Sequence, residues 1–149
     1  MVARLADACN VGGSPDVVRH KYEVLRRHCE MENRDCTTIE RTNIISPLLA
    51  RDADALAAKR QRLAVPESYY GFAGTVAQVT DLIGQYRDAG VQLLISSTYK
   101  NDHETLELLA ADVMPHFSQT FRSRRYRYGN SLPFGSGWIS WLRRLVRTS

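Results

Sequence analysis

The sequence has no long hydrophobic run. No stretch of about 18 or more apolar residues occurs in the 149 residues, so nothing indicates a membrane-spanning helix. The N-terminus also lacks a basic region followed by an apolar stretch, the pattern of a secretory signal. We therefore expect a cytoplasmic protein.

Cysteine is scarce as well. The three cysteines, Cys9, Cys29 and Cys36, are odd in number and form no C-x-x-C pair. This count argues against a disulfide framework, and the spacing argues against a zinc site. We expect reduced thiols, with Cys9 and Cys29 facing the core, and we predict no metal ligands.

Acidic residues are missing from the end of the chain. Residues 1–117 carry 13 Lys or Arg against 16 acids, a net charge of −3, whereas residues 118–149 carry seven Arg and no acid, a net charge of +7. We therefore divide the chain into a domain at 1–117 and an Arg-rich tail at 118–149, which we expect to be poorly ordered. Three interpretations of the tail stay open, namely sequence foreign to the domain, a segment that binds nucleic acid or another polyanion, and a segment that lies on an anionic membrane.

The first 33 residues predict a strand followed by a helix. Residues 7–11 are short and mostly apolar and end at Gly12 and Gly13. Ser14 is then a candidate N-cap with Pro15 at the first helical position. An apolar stripe on the predicted helix comprises Val18, Tyr22, Leu25 and Cys29.

The remainder of the domain repeats this order. Strands are predicted at 37–46 and 91–96, and helices at 75–89, with a capping box of Thr75 and Gln78, and from Asp102 to about Pro115. Between them, 50–63 has helical composition, and the aromatic cluster Tyr69, Tyr70 and Phe72 is typical of an ordered loop that packs on the next helix or lines a site. Strand-helix order, three times over, predicts an α/β fold with parallel strands.

Several segments resemble one family. DACN with its glycine turn, PDVVRHKYEVLRRHCE, GTVAQVTDLIGQYRDAGVQLLIS and ETLELLAADVMPHF are similar to the C-terminal part of the luciferase-like flavin and deazaflavin oxidoreductases. The resemblance implies that residues 1–117 are three consecutive β-α units like the last strands of a TIM (β/α)8 barrel, which is therefore incomplete. DACNVGG and RHKYEVLRRHC resemble the deazaflavin branch.

The resemblance also implies a site and a cofactor. Barrel strands place ligand-contacting groups at their carboxyl ends, which here implies cofactor contacts from Asn10, Val11, Gly12 and Gly13, with Ser46, Ser97 and Thr98 on the same side. The implied activity is hydride transfer or oxygen activation on a small-molecule substrate through coenzyme F-420, with FMN as the alternative. We identify no catalytic residue in the sequence.

An isolated arc of a barrel leaves apolar edges and one sheet face uncovered. We therefore expect self-association, or a partner that supplies the missing N-terminal portion of the barrel. The alternative hypothesis is a self-associating α/β protein without enzymatic activity, whose Arg-rich tail binds nucleic acid or anionic surfaces.

Overall fold

The computed structural model describes residues 1–117. The predicted boundary at 117 and the three interpretations of the tail concern residues outside this part of the chain. Five α-helices are present in it: α1 (Val2–Leu5), α2 (Pro15–Met31), α3 (Ala53–Arg62), α4 (Val76–Asp88) and α5 (His103–Leu108). A π-helical turn at Leu109–Val113 and a 3-10 turn at Met114–Phe117 continue α5.

Five parallel strands form two sheets. The strands are β1 (Ala8–Asn10), β2 (Glu40–Ile45), β3 (Pro47–Ala50), β4 (Phe72–Thr75) and β5 (Leu93–Ser96). The larger sheet has the order β1-β2-β5, and β3 pairs with β4 in a second, two-stranded sheet. The predicted α/β fold with parallel strands is confirmed, and within residues 1–117 the strands do not close into a barrel.

The second sheet corrects the sequence prediction of three strands. The strand predicted at 37–46 is followed directly by another, because Pro47 begins β3 after a single intervening residue, Ser46. The next three residues, Leu48 to Ala50, are fully buried, so they show no alternation that would mark them as a strand. Its partner β4 has only four residues and includes Gly74, a residue that strands disfavour.

Side-chain capping hydrogen bonds begin two of the five α-helices between residues 1 and 117. Thr75 and Gln78 form the predicted capping box, and Asp52 accepts a hydrogen bond from the Ala55 amide (2.8 Å) to begin α3. Ser14 and Asp102 stand at N-cap positions, but neither side chain makes a capping hydrogen bond. Ser14 therefore occupies the predicted N-cap position, but its side chain does not cap the helix.

The core lies between the sheets and the helices in two clusters. The larger contains residues from α2, β2, β3, α4 and the segment after α5, including Val18, Leu49, Val79 and Val113, each fully buried. The smaller consists of Ala3, Leu25, Cys29 and Ile39. All four residues of the predicted α2 stripe are buried, so the helical periodicity correctly identified the face of α2 that packs inward.

One face of the larger sheet is open. Ile45 and Leu94 point towards the helices and join the core. Their neighbours Ile44, Leu93 and Ile95 are 50%, 38% and 41% exposed to solvent. The pair Ile44 and Ile95 is in register, so these side chains share one face. Because helices cover the outside of a (β/α)8 barrel, the open face corresponds to the interior of such a barrel.

No helix between residues 1 and 117 combines the length and the apolar character that crossing a membrane requires.

Candidate cofactor site

The carboxyl ends of β1, β2 and β5 lie side by side. The amide of Val11 donates to the Thr42 carbonyl (3.1 Å), and the amide of Ser97 donates to the Ile45 carbonyl (3.0 Å). The hydroxyls of Ser46 and Ser97 are 2.5 Å apart. The predicted residues that follow the three strands are therefore on one edge of the sheet.

Asn10 and Val11 differ in their surroundings. Asn10 is exposed, and its side-chain oxygen accepts a hydrogen bond from the Thr42 hydroxyl (3.1 Å). Val11 is half-buried and packs against the larger core cluster. Of the two, only Asn10 presents a polar group to the solvent side of the edge.

Gly12 and Gly13 form the turn between β1 and α2, and each carbonyl accepts a side-chain hydrogen bond. Lys21 Nζ donates to Gly12 (3.0 Å), and the Tyr86 hydroxyl donates to Gly13 (2.9 Å). Burial raises the pKa of Tyr86, so this phenol keeps its proton at neutral pH. These two bonds fix the turn against α2 and α4.

The two glycines serve different purposes. Gly13 has φ +126, and a Cβ there would lie 2.7 Å from Val17 Cγ1, so the backbone itself requires glycine. A Cβ at Gly12 would meet nothing within 4 Å. Gly12 therefore leaves open space at the edge of the sheet, where a ligand can approach the backbone.

Asn43 lies beneath this turn and was not singled out in the sequence. Its side chain is fully buried, and its amide nitrogen donates to the Val11 carbonyl. The side-chain oxygen has no hydrogen-bond partner among residues 1–117. Asn43 is in register with Leu94 and two residues from Ile45, so its side chain lies on the helix-facing side of the sheet. An unpaired acceptor buried there is unfavourable by about 1–3 kcal/mol. Asn43 is one of several polar residues in β2, so only the folded structure identifies it.

A group of tyrosines borders the edge near Ser46. The Tyr69 hydroxyl donates to the Ser46 carbonyl (2.6 Å), and the Tyr69 ring meets Tyr99 edge-on at 5.3 Å. Burial raises the pKa of Tyr69, which therefore remains a donor at neutral pH. Phe72 packs on the core, whereas Tyr70 is 90% exposed. Phe72 therefore packs on the core, whereas Tyr69 lines the edge. Tyr99 belongs to the same cluster, although nothing in the sequence singles it out.

The remaining candidates stay outside this site. The histidines His20, His28, His103 and His116 are all exposed. Within residues 1–117, no group of three or more His, Cys, Asp or Glu side chains is arranged to hold a metal ion.

No protein-family profile matches the sequence, and neither does any curated protein. Solved structures do match. The chain is similar to the coenzyme F-420-dependent tetrahydromethanopterin reductase from Methanopyrus kandleri (TM-score 0.59, 15% identity, covering 78% of this chain and 47% of that one).

Two further structures show the same likeness. Riboflavin lyase with modified FMN and its substrate riboflavin has a TM-score of 0.64 at 11% identity, covering 79% of this chain and 40% of that one. Long-chain alkane monooxygenase has a TM-score of 0.63 at 15% identity, covering 86% and 40%.

The matched structures all have the luciferase-like fold. At these identities the likeness concerns the fold, and at this level the predicted resemblance is confirmed. The chain spans less than half the length of each of these three structures.

Proposed function

We propose that residues 1–117 provide part of the cofactor site of a luciferase-like oxidoreductase that binds coenzyme F-420, with FMN as the alternative. The observation that carries this proposal is the convergence of Asn10, Gly12, Ser46 and Ser97 on one edge of a parallel sheet. The fold is shared with an F-420-dependent reductase and with a riboflavin lyase that holds modified FMN. Ligands of barrel enzymes bind at this edge.

The residues present fit such a group. Gly12 provides open space beside the backbone, Asn10 provides an exposed side-chain amide, and the Ser46–Ser97 pair provides hydroxyls. In the proposed role, Asn10 and the two serines hydrogen-bond the cofactor, while Tyr86 and Lys21 hold the glycine turn in place. The bound cofactor would supply hydride transfer or oxygen activation, and the chain would orient it for a small-molecule substrate.

A side chain at Gly12 is expected to weaken cofactor binding without unfolding the protein. We predict that Gly12→Val raises the dissociation constant at least about 10-fold, equivalent to about 1.4 kcal/mol, because the valine fills the space that a ligand needs. The measurement is quenching of F-420 or FMN fluorescence during titration of the full chain.

The matched control is Gly84→Val on α4, where a Cβ also meets nothing within 4 Å. This variant should bind like the unmodified chain. If neither cofactor is quenched by the unmodified chain at high micromolar concentration, the proposed function fails for this chain. If Gly12→Val binds normally, the placement of the site is wrong.

We also propose that the open sheet face pairs with a second copy of the chain. Ile44, Leu93 and Ile95 are apolar and in part exposed, and in the described part of the chain β1 and β5 each have one neighbouring strand only. In a two-fold symmetric dimer the same patch of each copy faces the other. An apolar patch can pair with itself in this way, because it places no like charges against each other. Such pairing would supply the opposite wall that the cofactor edge lacks in a single copy.

Polar substitutions on this face are expected to weaken self-association. We predict that the double variant Ile44→Thr/Ile95→Thr shifts the chain towards monomer by at least about 10-fold in dimer dissociation constant, because it replaces apolar area that association removes from water. Sedimentation velocity over a concentration series measures this shift. Met114→Gln is the control, since Met114 is more exposed than either isoleucine but lies outside the sheet. An unmodified chain that stays monomeric at high micromolar concentration contradicts the pairing.

A further inference from the structure

All three thiols of the chain lie in one part of the fold, away from the cofactor edge. Cys29 is in the last turn of α2, and Cys36 begins a 3-10 turn at Cys36–Thr38. Both belong to or pack against the smaller core cluster, as does Cys9 of β1. The sequence spacing gave no sign of this grouping, because it depends on the return of the chain after α2.

A short, well-defined turn brings Cys36 back to Cys29. The Arg34 amide donates to the Cys29 carbonyl (2.9 Å), and the Asp35 side chain accepts from the Thr37 amide (2.9 Å) to cap the 3-10 turn. The helix end and the loop before β2 are thereby held together by backbone and capping bonds. The positions of the two cysteines follow from these bonds and do not depend on the thiols themselves.

The two thiols contact each other and differ in exposure. Cys29 is buried, whereas Cys36 is half-buried and reachable from solvent. Burial, followed by a hydrogen bond to the Cys29 side chain, raises the pKa of the Cys36 thiol to about 11. At neutral pH the Cys36 thiol is therefore mainly protonated, and both cysteines are free in the structure.

We propose that Cys29 and Cys36 form a reversible dithiol–disulfide pair that a peroxide oxidises. The Cys36 thiol first loses its proton, and the half-buried thiolate then attacks one peroxide oxygen and breaks the O–O bond, which gives a sulfenic acid and hydroxide. The hydroxide combines with the released proton to form water. The Cys29 sulfur then attacks the sulfenic sulfur, forms the S–S bond and expels a second water. Two electrons pass from the two thiols to the peroxide.

The disulfide would link the end of α2 to the segment that enters β2. The closed loop is short, and such a link lowers the entropy of the unfolded chain. Because the cofactor edge lies at the opposite end of β1 and β2, the pair regulates the stability of the fold without occupying the proposed cofactor site.

The surroundings of Cys36 make the reaction slow at neutral pH and faster at alkaline pH, because the thiolate is the reacting form. Arg41 and Arg26 favour the thiolate, whereas burial and the neighbouring Asp35 oppose it. The other titratable groups nearby are Cys29 and Cys9.

The test treats the full chain with hydrogen peroxide at mildly alkaline pH, then counts thiols with a colorimetric reagent and maps peptides by mass spectrometry. We expect two of the three thiols to disappear, a cross-linked peptide containing Cys29 and Cys36, recovery of both thiols with dithiothreitol, and a higher melting temperature for the oxidised chain.

Three variants identify the pair. Cys9→Ser should still form the cross-link, whereas Cys36→Ser and Cys29→Ala should each abolish it. The map of the unmodified chain decides the outcome even if the Cys29 variant does not fold. Oxidation of Cys36 to sulfinic acid without a cross-link, a cross-link that involves Cys9, or three thiols that survive treatment would each overturn the proposal.

Discussion

Replacement of Lys59 with methionine is expected to lower the free energy of unfolding by about 3–5 kcal/mol. Lys59 is 2% exposed, and its ammonium group contacts Asp102 and Glu104, each at 3.0 Å, as well as the carbonyl of Leu49. Methionine fills most of the same space but removes the charge, so the buried Asp102 carboxylate loses its cation. The measurement is urea unfolding followed by circular dichroism.

The matched control is Arg62→Met, because Arg62 forms an ion pair with the same Glu104 (3.2 Å) from a largely exposed position. Exposed pairs contribute about 0–1 kcal/mol, so this variant should unfold near the midpoint of the unmodified chain. Equal effects of the two substitutions would show that burial of Lys59 has no energetic role.

The Lys59 network has a clear structural purpose. The Thr105 hydroxyl donates to Asp102 (2.6 Å) and accepts from the Leu49 amide (2.9 Å). The network thus connects α3, β3 and the beginning of α5 through side chains whose donors and acceptors satisfy each other. Breaking it at one charge disturbs all three elements.

Gly71→Ala is expected to lower the free energy of unfolding by about 3 kcal/mol, at the upper end for overpacking. A Cβ at this position would lie 2.1 Å from the Ser46 carbonyl oxygen and 2.4 Å from Tyr69 Cζ. The Ser46 carbonyl is backbone between β2 and β3 and accepts hydrogen bonds from Tyr69 and Phe72. The clash therefore has to displace the junction of the two sheets.

Gly12→Ala provides the comparison for Gly71→Ala, since its Cβ enters open space. We expect a change within about 0.5 kcal/mol, as for an ordinary surface substitution. Thermal or urea unfolding of the two variants, measured together, checks both values. A Gly71→Ala chain as stable as Gly12→Ala would mean that β2 and β3 do not pack on this loop as described.

Elements with a local signal could be predicted from the sequence. The stripe of α2, the capping box of α4 and the apolar segment of β5 each depend on residues a few positions apart, and the structure confirms all three. The sheet edge at Asn10 and Gly12 was predictable because a strand, a glycine turn and a helix follow one another directly.

Elements whose meaning depends on distant partners could not be predicted. The fully buried β3 lacks alternation, and its partner β4 lies more than 20 residues away. Lys59 looks like one more cation in a helix of mixed charge, and nothing nearby in the sequence indicates Asp102. Asn43 is likewise distinguished only by the missing partner of its side-chain oxygen.

Hydrogen–deuterium exchange with and without F-420 or FMN tests the central proposal most directly. We predict slower exchange of the amides at 11–14 and 97–98 when the cofactor is present, with no change in the last turn of α2 (28–31), which packs near the amino ends of β1 and β2. Cofactor-dependent protection confined to the last turn of α2, or none anywhere at a saturating concentration, would contradict a site at the carboxyl ends of β1, β2 and β5.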